Sequence, residues 1–343
     1  MEPVEAAHRI SPTLPPEAPV AEWRVIRPIG RGNAATVYEA EHTRTSRRVA
    51  LEVVDVDIRR YPSLRARFER EVRVMAGIED ARVPRVIDFG ELDSGSPYVV
   101  MERLEGETLQ QRIDRESMTV REVLWLAREL LLAVAAVHQH DVVHRDVKPA
   151  NVFLHRGDGG RETVKLLDFG ICFPRRDIGL AEHLTDRGGL LGTAGYIAPE
   201  LLRGAEPDAR ADLYAVGAVL YECLTGVPPH AGETWSQVVQ AISEHPVRVR
   251  SLRRDCPVGL DRFVSLALAA DPERRFRTAN EMLACLDEVR RGGVPVRPNE
   301  CLYCVRTTRE PERPPRPPLP WRILTVASVT AASVATGLGL LFF

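Results

Sequence analysis

The sequence predicts an α+β fold in which a small β-rich lobe precedes a larger helical lobe, with one membrane-crossing helix at the C-terminal end. Three observations lead there. Residues 25–30, 36–41 and 48–54 read as short strands, and 65–78 places charged and apolar residues at helical spacing. Beyond Thr119 the texture becomes helical, with long apolar-rich stretches at 120–140 and 212–225 and shorter ones at 236–244 and 260–270. Residues 323–343 carry no charged side chain.

Taken in order, residues 1–22 read as a disordered leader, because the first 20 hold five prolines and little periodicity. A folded domain is expected over 23–290, its β-rich lobe over about 23–103 and its helical lobe over about 104–290. Residues 291–322 are rich in proline and arginine and predict a stiff juxtamembrane linker. The 21 residues from Ile323 to Phe343 would measure roughly 31 Å as a helix, against a hydrocarbon core of about 30 Å. A buried or hairpin helix is the competing reading, but behind a proline-rich linker it has no core to enter. Arg306, Arg309, Arg313, Arg316 and Arg322 flank the segment on one side, so the positive-inside rule keeps the domain cytoplasmic and makes the helix a single-pass anchor in the inner membrane. Ser333 with Gly337 and Ala335 with Gly339 would let two such helices pack closely as a homodimer.

With 343 residues, 44% of them hydrophobic, the chain can bury a full core. A net charge of -2 and no basic run within the folded part exclude nucleic acid as an expected partner. Lys148 and Lys165 are the only lysines among 46 basic residues. The six cysteines are scattered, no signal-like apolar segment opens the chain, and Cys301 and Cys304 lack the second pair that a structural zinc would need.

The chemistry is concentrated in three blocks: His144-Arg145-Asp146-Val147-Lys148-Pro149-Ala150-Asn151, Asp168-Phe169-Gly170 and Ala198-Pro199-Glu200. An isolated Asp or Asn most often caps a loop, but this joint spacing disfavours that reading. The blocks resemble the catalytic loop, metal-binding turn and activation-segment end of the bacterial eukaryotic-like (Hanks-type) serine/threonine protein kinases, and the resemblance covers roughly 23–290. It implies a two-lobed protein-kinase fold, ATP with Mg2+ or Mn2+ as cofactors, and a protein substrate with a Ser or Thr acceptor.

The resemblance also implies roles. Asp146 would orient the substrate hydroxyl, Lys148 would face the transferred phosphate, and Asn151 and Asp168 would hold the metal. Gly30 and Gly32 resemble the first two glycines of the phosphate-covering loop, with Ala35 at the place of the third. Val37, Ala50 and Leu154 would sandwich adenine, although core packing explains such residues equally well. Met101-Glu102-Arg103-Leu104 matches the hinge, where Glu102 and Leu104 would offer backbone groups to the base. Glu200 would pair with Arg275, and Asp212 would accept backbone hydrogen bonds from the catalytic loop. Thr185 is the expected activation-loop phosphosite, with a solvated loop residue as the plain alternative, and Thr193 is expected near Asp146.

One position departs from the family. Where its third strand carries a phosphate-binding lysine, this chain reads Val49-Ala50-Leu51-Glu52, and the helix glutamate that would pair with that lysine is Glu71. Two facing carboxylates beside a polyanion are expected to weaken ATP binding, because a unit charge at about 4 Å and an effective dielectric near 20 is worth about 4 kcal/mol. Arg31, Arg47 or Arg48 could supply a substitute cation, or Glu52 and Glu71 could share a magnesium. Two readings therefore stand: a weakened kinase, or a pseudokinase acting as scaffold or allosteric partner. A small-molecule phosphotransferase is disfavoured by the full activation segment.

Overall fold

The computed structural model describes residues 14–295 apart from 33–34, 60, 158, 169–194, 231, 233–236, 238–240 and 243–244. The described residues belong to one unit, Met1–Pro295, and the second unit, Val296–Phe343, lies outside them. The linker and the apolar segment 323–343 are thus not described, and among the described residues no helix is long and apolar enough to cross a membrane.

The small lobe is an antiparallel sheet in the order β1-β2-β3-β4-β6-β5, made of Pro19–Val20, Trp23–Arg31, Ala35–His42, Arg48–Val54, Pro97–Glu102 and Val86–Glu91 respectively. Strand alternation sends Tyr38, Ala40, Val49, Leu51, Val53, Tyr98 and Val100 to its outer face. That face is covered from within the stretch read as a leader. Leu14, Ala18 and Val20 pack on it, the Leu14 amide donates to the Tyr38 hydroxyl at 3.1 Å, and Val20 pairs with Trp23. The expectation of a disordered 1–22 is corrected to that extent: proline spacing spoils periodicity, but three apolar side chains find a sheet to cover.

The inner face carries Ala35, Val54, Val99 and Met101, against which α1 (Pro62–Ala76) lays Leu64, Phe68, Val72 and Met75. These four repeat at helical spacing, and Pro62 at the first turn starts the helix earlier than the periodicity suggests. Val37, Ala50 and Glu52 share this inner face, because cross-strand partners point the same way.

The helical lobe comprises α2 (Leu109–Arg115), α3 (Val120–His138), α4 (Pro199–Leu202), α5 (Ala209–Thr225), α6 (Val249–Leu252), α7 (Val258–Ala267) and α8 (Ala279–Arg290), with a small sheet of β7 (Gly106–Thr108), β8 (Val152–Arg156) and β9 (Glu162–Leu166) in that order. Thr119 and Glu122 form a reciprocal cap that starts α3. Helix α5 is buried on every side from Ala211 to Leu224, so it forms the lobe's centre rather than its surface. It ends at Gly226, whose φ of 78° needs a glycine. At Gly217 a Cβ would lie 2.6 Å from that of Ala267, so α5 and α7 can cross there only without a side chain.

Candidate functional site

The catalytic-loop block follows α3 directly and is fastened from below by α5. Asp212, 1% exposed, accepts from the His144 amide (2.8 Å, Oδ2) and the Arg145 amide (2.8 Å, Oδ1), while His138 Nε2 lies 2.8 Å from Oδ2. His144 is fully buried, and burial holds its imidazole below the usual histidine range. Its Nε2 lies 2.8 Å from the Leu167 carbonyl, which can only accept, so Nε2 carries the proton and Nδ1 receives the Asp146 amide at 3.3 Å. One neutral ring thereby links the segment bearing Asp146 to the one bearing Asp168.

Asp146 Oδ2 accepts from Lys148 Nζ at 2.7 Å and from Asn151 Nδ2 at 3.0 Å, and the same Nδ2 lies 2.9 Å from the Asp146 carbonyl. The short helical turn Pro149–Asn151 brings Asn151 round to this position. With its amino end committed to Asp146, the amide's oxygen end points elsewhere. Arg145 (φ 68°) and Asp168 (φ 55°) both occupy the left-handed region, a strain of about 1–3 kcal/mol each that persists because neighbouring hydrogen bonds impose it.

Glu52 is half-buried on β4, between Val37 of β3 and Val99 of β6 in the register. Burial first, and then the charge of Asp168, push its carboxyl up to about 8. The Asp168 side chain keeps solvent access, yet crowding by protein and then the charge of Asp146 raise its carboxyl too, against the lowering effect of Lys148.

The charge that acts on the Glu52 carboxyl is that of Asp168. Glu71 turns along its own helix to Arg67 Nε at 2.9 Å, one turn away, and its Oε2 is buried with no hydrogen-bond partner among the described residues. Near neutral pH the ligand-free site thus replaces an ammonium by a mostly protonated acid, not by a full negative charge. Of the expected substitute cations, Arg48 is bound to Glu39, and Arg31 and Arg47 are exposed.

Gly30 and Gly32 lie at the end of β2, and the Gly32 amide closes onto the Ala35 carbonyl at 2.8 Å. Added Cβ atoms there would meet nothing closer than 3.9 Å and 3.5 Å respectively, so the glycines leave room above the cleft. Ala50 (8% exposed) roofs the cleft, while Leu154 (1% exposed) is in the middle of β8. Glu102 Oε1 accepts from the Arg85 amide at 2.9 Å and from Lys165 Nζ, and the Glu102 amide donates to the Arg85 carbonyl at 3.0 Å. This buried lysine contact between the two lobes was not foreseen, although Lys165 is one of just two lysines.

Arg275 is 0% exposed and grips Glu200 with two nitrogens at 2.7 Å each, stacking over the Tyr214 ring at 4.7 Å. Tyr196 donates to Glu222 in the interior, and burial foremost raises its phenol well above the ordinary range. Phe169, Gly170, Thr185 and Thr193 lie outside the described residues.

Residues 23–285 match the protein kinase domain family. The chain is 36% identical over 285 residues to serine/threonine-protein kinase PknB of Mycolicibacterium smegmatis, covering 82% of this chain and 45% of that protein. It is 38% identical over 268 residues to probable serine/threonine-protein kinase SCO3848 of Streptomyces coelicolor, covering 76% of this chain and 39% of the relative. It thus spans less than half the length of these curated relatives. The crystal structure of the Mycobacterium tuberculosis PknI kinase domain superposes with a TM-score of 0.63 at 29% identity, covering 80% of this chain and 99% of that one. The chain belongs to the protein kinase family, among its bacterial Hanks-type serine/threonine members.

Proposed function

We propose that the chain is a membrane-anchored, cytoplasmic serine/threonine protein kinase that transfers the γ-phosphate of ATP to Ser or Thr of a protein substrate, with a phosphate site altered at Glu52. The observation that carries this is the hydrogen-bonded set of Asp146, Lys148 and Asn151 held beside Asp168. A scaffold has no chemical need for all four. Asp146 is placed to receive and orient a hydroxyl, and Lys148 brings positive charge to the same spot.

The donor set suits a hard divalent cation, since Asn151 and Asp168 offer oxygen atoms and no sulfur or imidazole. Among the described residues no cluster of three or more acidic, histidine or cysteine side chains could hold a metal alone. Magnesium or manganese would accordingly rely on phosphate oxygens for the rest of its shell, and would supply charge neutralisation there. Glu200, Arg275 and Asp212 act as scaffold, and the apolar segment 323–343 as anchor.

The second reading, a pseudokinase working as scaffold or allosteric partner, is favoured by Glu52 itself. ATP turnover with magnesium or manganese decides between them, measured on the full chain and on Glu52→Lys and Asp146→Asn. Transfer by the unmodified chain that disappears in Asp146→Asn establishes the kinase. No transfer by the unmodified chain, with transfer gained by Glu52→Lys, establishes a pseudokinase disabled at that one residue.

A further inference from the structure

Glu39 lies two residues after Val37 on β3 and so shares its face of the sheet, in register with Arg27 of β2 and Ala50 of β4. Its carboxylate is 1% exposed. Three guanidinium groups from three segments close on it: Arg48 Nη1 at 2.9 Å and Arg103 Nε at 3.1 Å from Oε1, and Arg27 Nη2 at 2.9 Å from Oε2. Arg103 belongs to the segment that leaves β6 for the helical lobe, and its Nη1 also reaches Glu105 Oε1 at 2.5 Å. A single buried anion therefore ties β2, β3, β4 and the hinge together. The hydrogen bond from Arg48 and the charges of Arg103 and Arg27 hold its carboxyl below the usual range.

Stability alone does not account for this knot. Burying a carboxylate is costly, and an apolar side chain of similar volume commonly serves as well at such a place. Val37 and Ala50, its neighbours on the same face, are apolar, so a leucine would have packed there. A leucine would not, however, fix Arg103 against the sheet. Arg103 stands between Glu102 and Leu104, whose backbone groups face the base in the function proposed above.

We infer that Glu39 is a positioning residue for the nucleotide base: through Arg103 it sets the height of the sheet that carries Val37 and Ala50 above the hinge. This rests on the nucleotide-binding reading of the cleft. Glu39 touches no reacting atom, and it acts through the Ala50 end of the face, one same-face pair along from Val37 and Glu52.

Two measurements on the full chain in detergent test it separately. Hydrogen exchange at the amides of residues 102–106 in the ligand-free chain reads the hinge, and calorimetric titration with adenosine reads the base site without phosphate or metal. Glu39→Gln keeps the volume and removes the charge. It should speed hinge exchange and weaken adenosine binding by about tenfold each, as the loss of one charge-assisted hydrogen bond does, while amides of β8 and β9 exchange as before. Arg103→Met should act alike, and the double variant should lose no more than either single one, because both break the same link. Unchanged hinge exchange in both variants, unchanged adenosine affinity, or additive losses would overturn the role. An unmodified chain that binds no adenosine would overturn it as well, through failure of the nucleotide reading, and hinge exchange would then still show whether Glu39 holds the hinge.

Discussion

Replacing Glu52 by glutamine should flatten the pH dependence of stability in the metal-free protein. Folding raises this carboxyl from an ordinary value of 4.5 to about 8, so between those limits the native chain holds a proton that the unfolded chain has released. The contribution of this carboxyl to stability is accordingly full below about 4.5 and declines as pH rises through 8. A tenfold gain in proton affinity is worth about 1.36 kcal/mol, so the rise on folding sets a ceiling of about 5 kcal/mol. Solvent reaches the half-buried side chain and Asp168 shares the titration, so about 2–3 kcal/mol is expected, or roughly 5–10 °C in Tm for a domain of this size. Thermal unfolding in EDTA at pH 5, 7 and 9, run in parallel on the unmodified chain and Glu52→Gln, reads the Glu52–Asp168 pair, since groups outside that pair titrate alike in both. Glutamine should match the parent at pH 5 and exceed it at pH 9. Parallel curves across that range would refute a raised carboxyl at Glu52, and with it the conclusion that the Glu52 side chain is mostly neutral near pH 7.

Two further outcomes follow from buried charge. Arg275→Met leaves the partly buried Glu200 without its partner and should cost about 3–5 kcal/mol, read as a lower urea midpoint with an unchanged slope. The Glu107 carboxyl is held down to about 2, first by the hydrogen bond from Arg115 and also by Arg112, so it adds stability above about 4.5 that fades as pH falls through 2. Glu107→Gln should therefore lose roughly 2–3 kcal/mol at pH 7 and almost nothing near pH 2 in denaturant titrations.

What the sequence discloses depends on how local the physics is. Asp146, Lys148 and Asn151 are legible because they fall within six residues, and a short turn suffices to bring them together. Strands β2 to β4 and helices α1, α3 and α5 are legible through their periodicity, with ends set by Pro62, the Thr119 cap and Gly226. The charge state of Glu52 is not, because Asp168, whose charge acts on it, comes from across the cleft, while Glu71 pairs through Oε1 with Arg67 on its own helix. Glu39 is still harder to find. Its partners lie at positions 27, 48 and 103, on three different strands or their ends, and no spacing rule joins them. Strands β7 and β8 escape notice because they are short and β7 finds its partner far along the chain, Gly106 opposite His155.

The strap formed by Leu14, Ala18 and Val20 has a practical bearing on how the protein is handled. Homology to kinases begins at Trp23, and an expression boundary chosen there would strip the cover from an apolar surface that includes Tyr38, Leu51, Val53 and Val100. The Tyr38 hydroxyl would lose the Leu14 amide, and the edge of β2 would lose its bonds to Ala18 and Glu17. An uncovered strand edge beside an oily sheet invites self-association. Fragments cut at the family boundary would then be expected to precipitate or form spurious oligomers, and their poor behaviour would say nothing about catalysis.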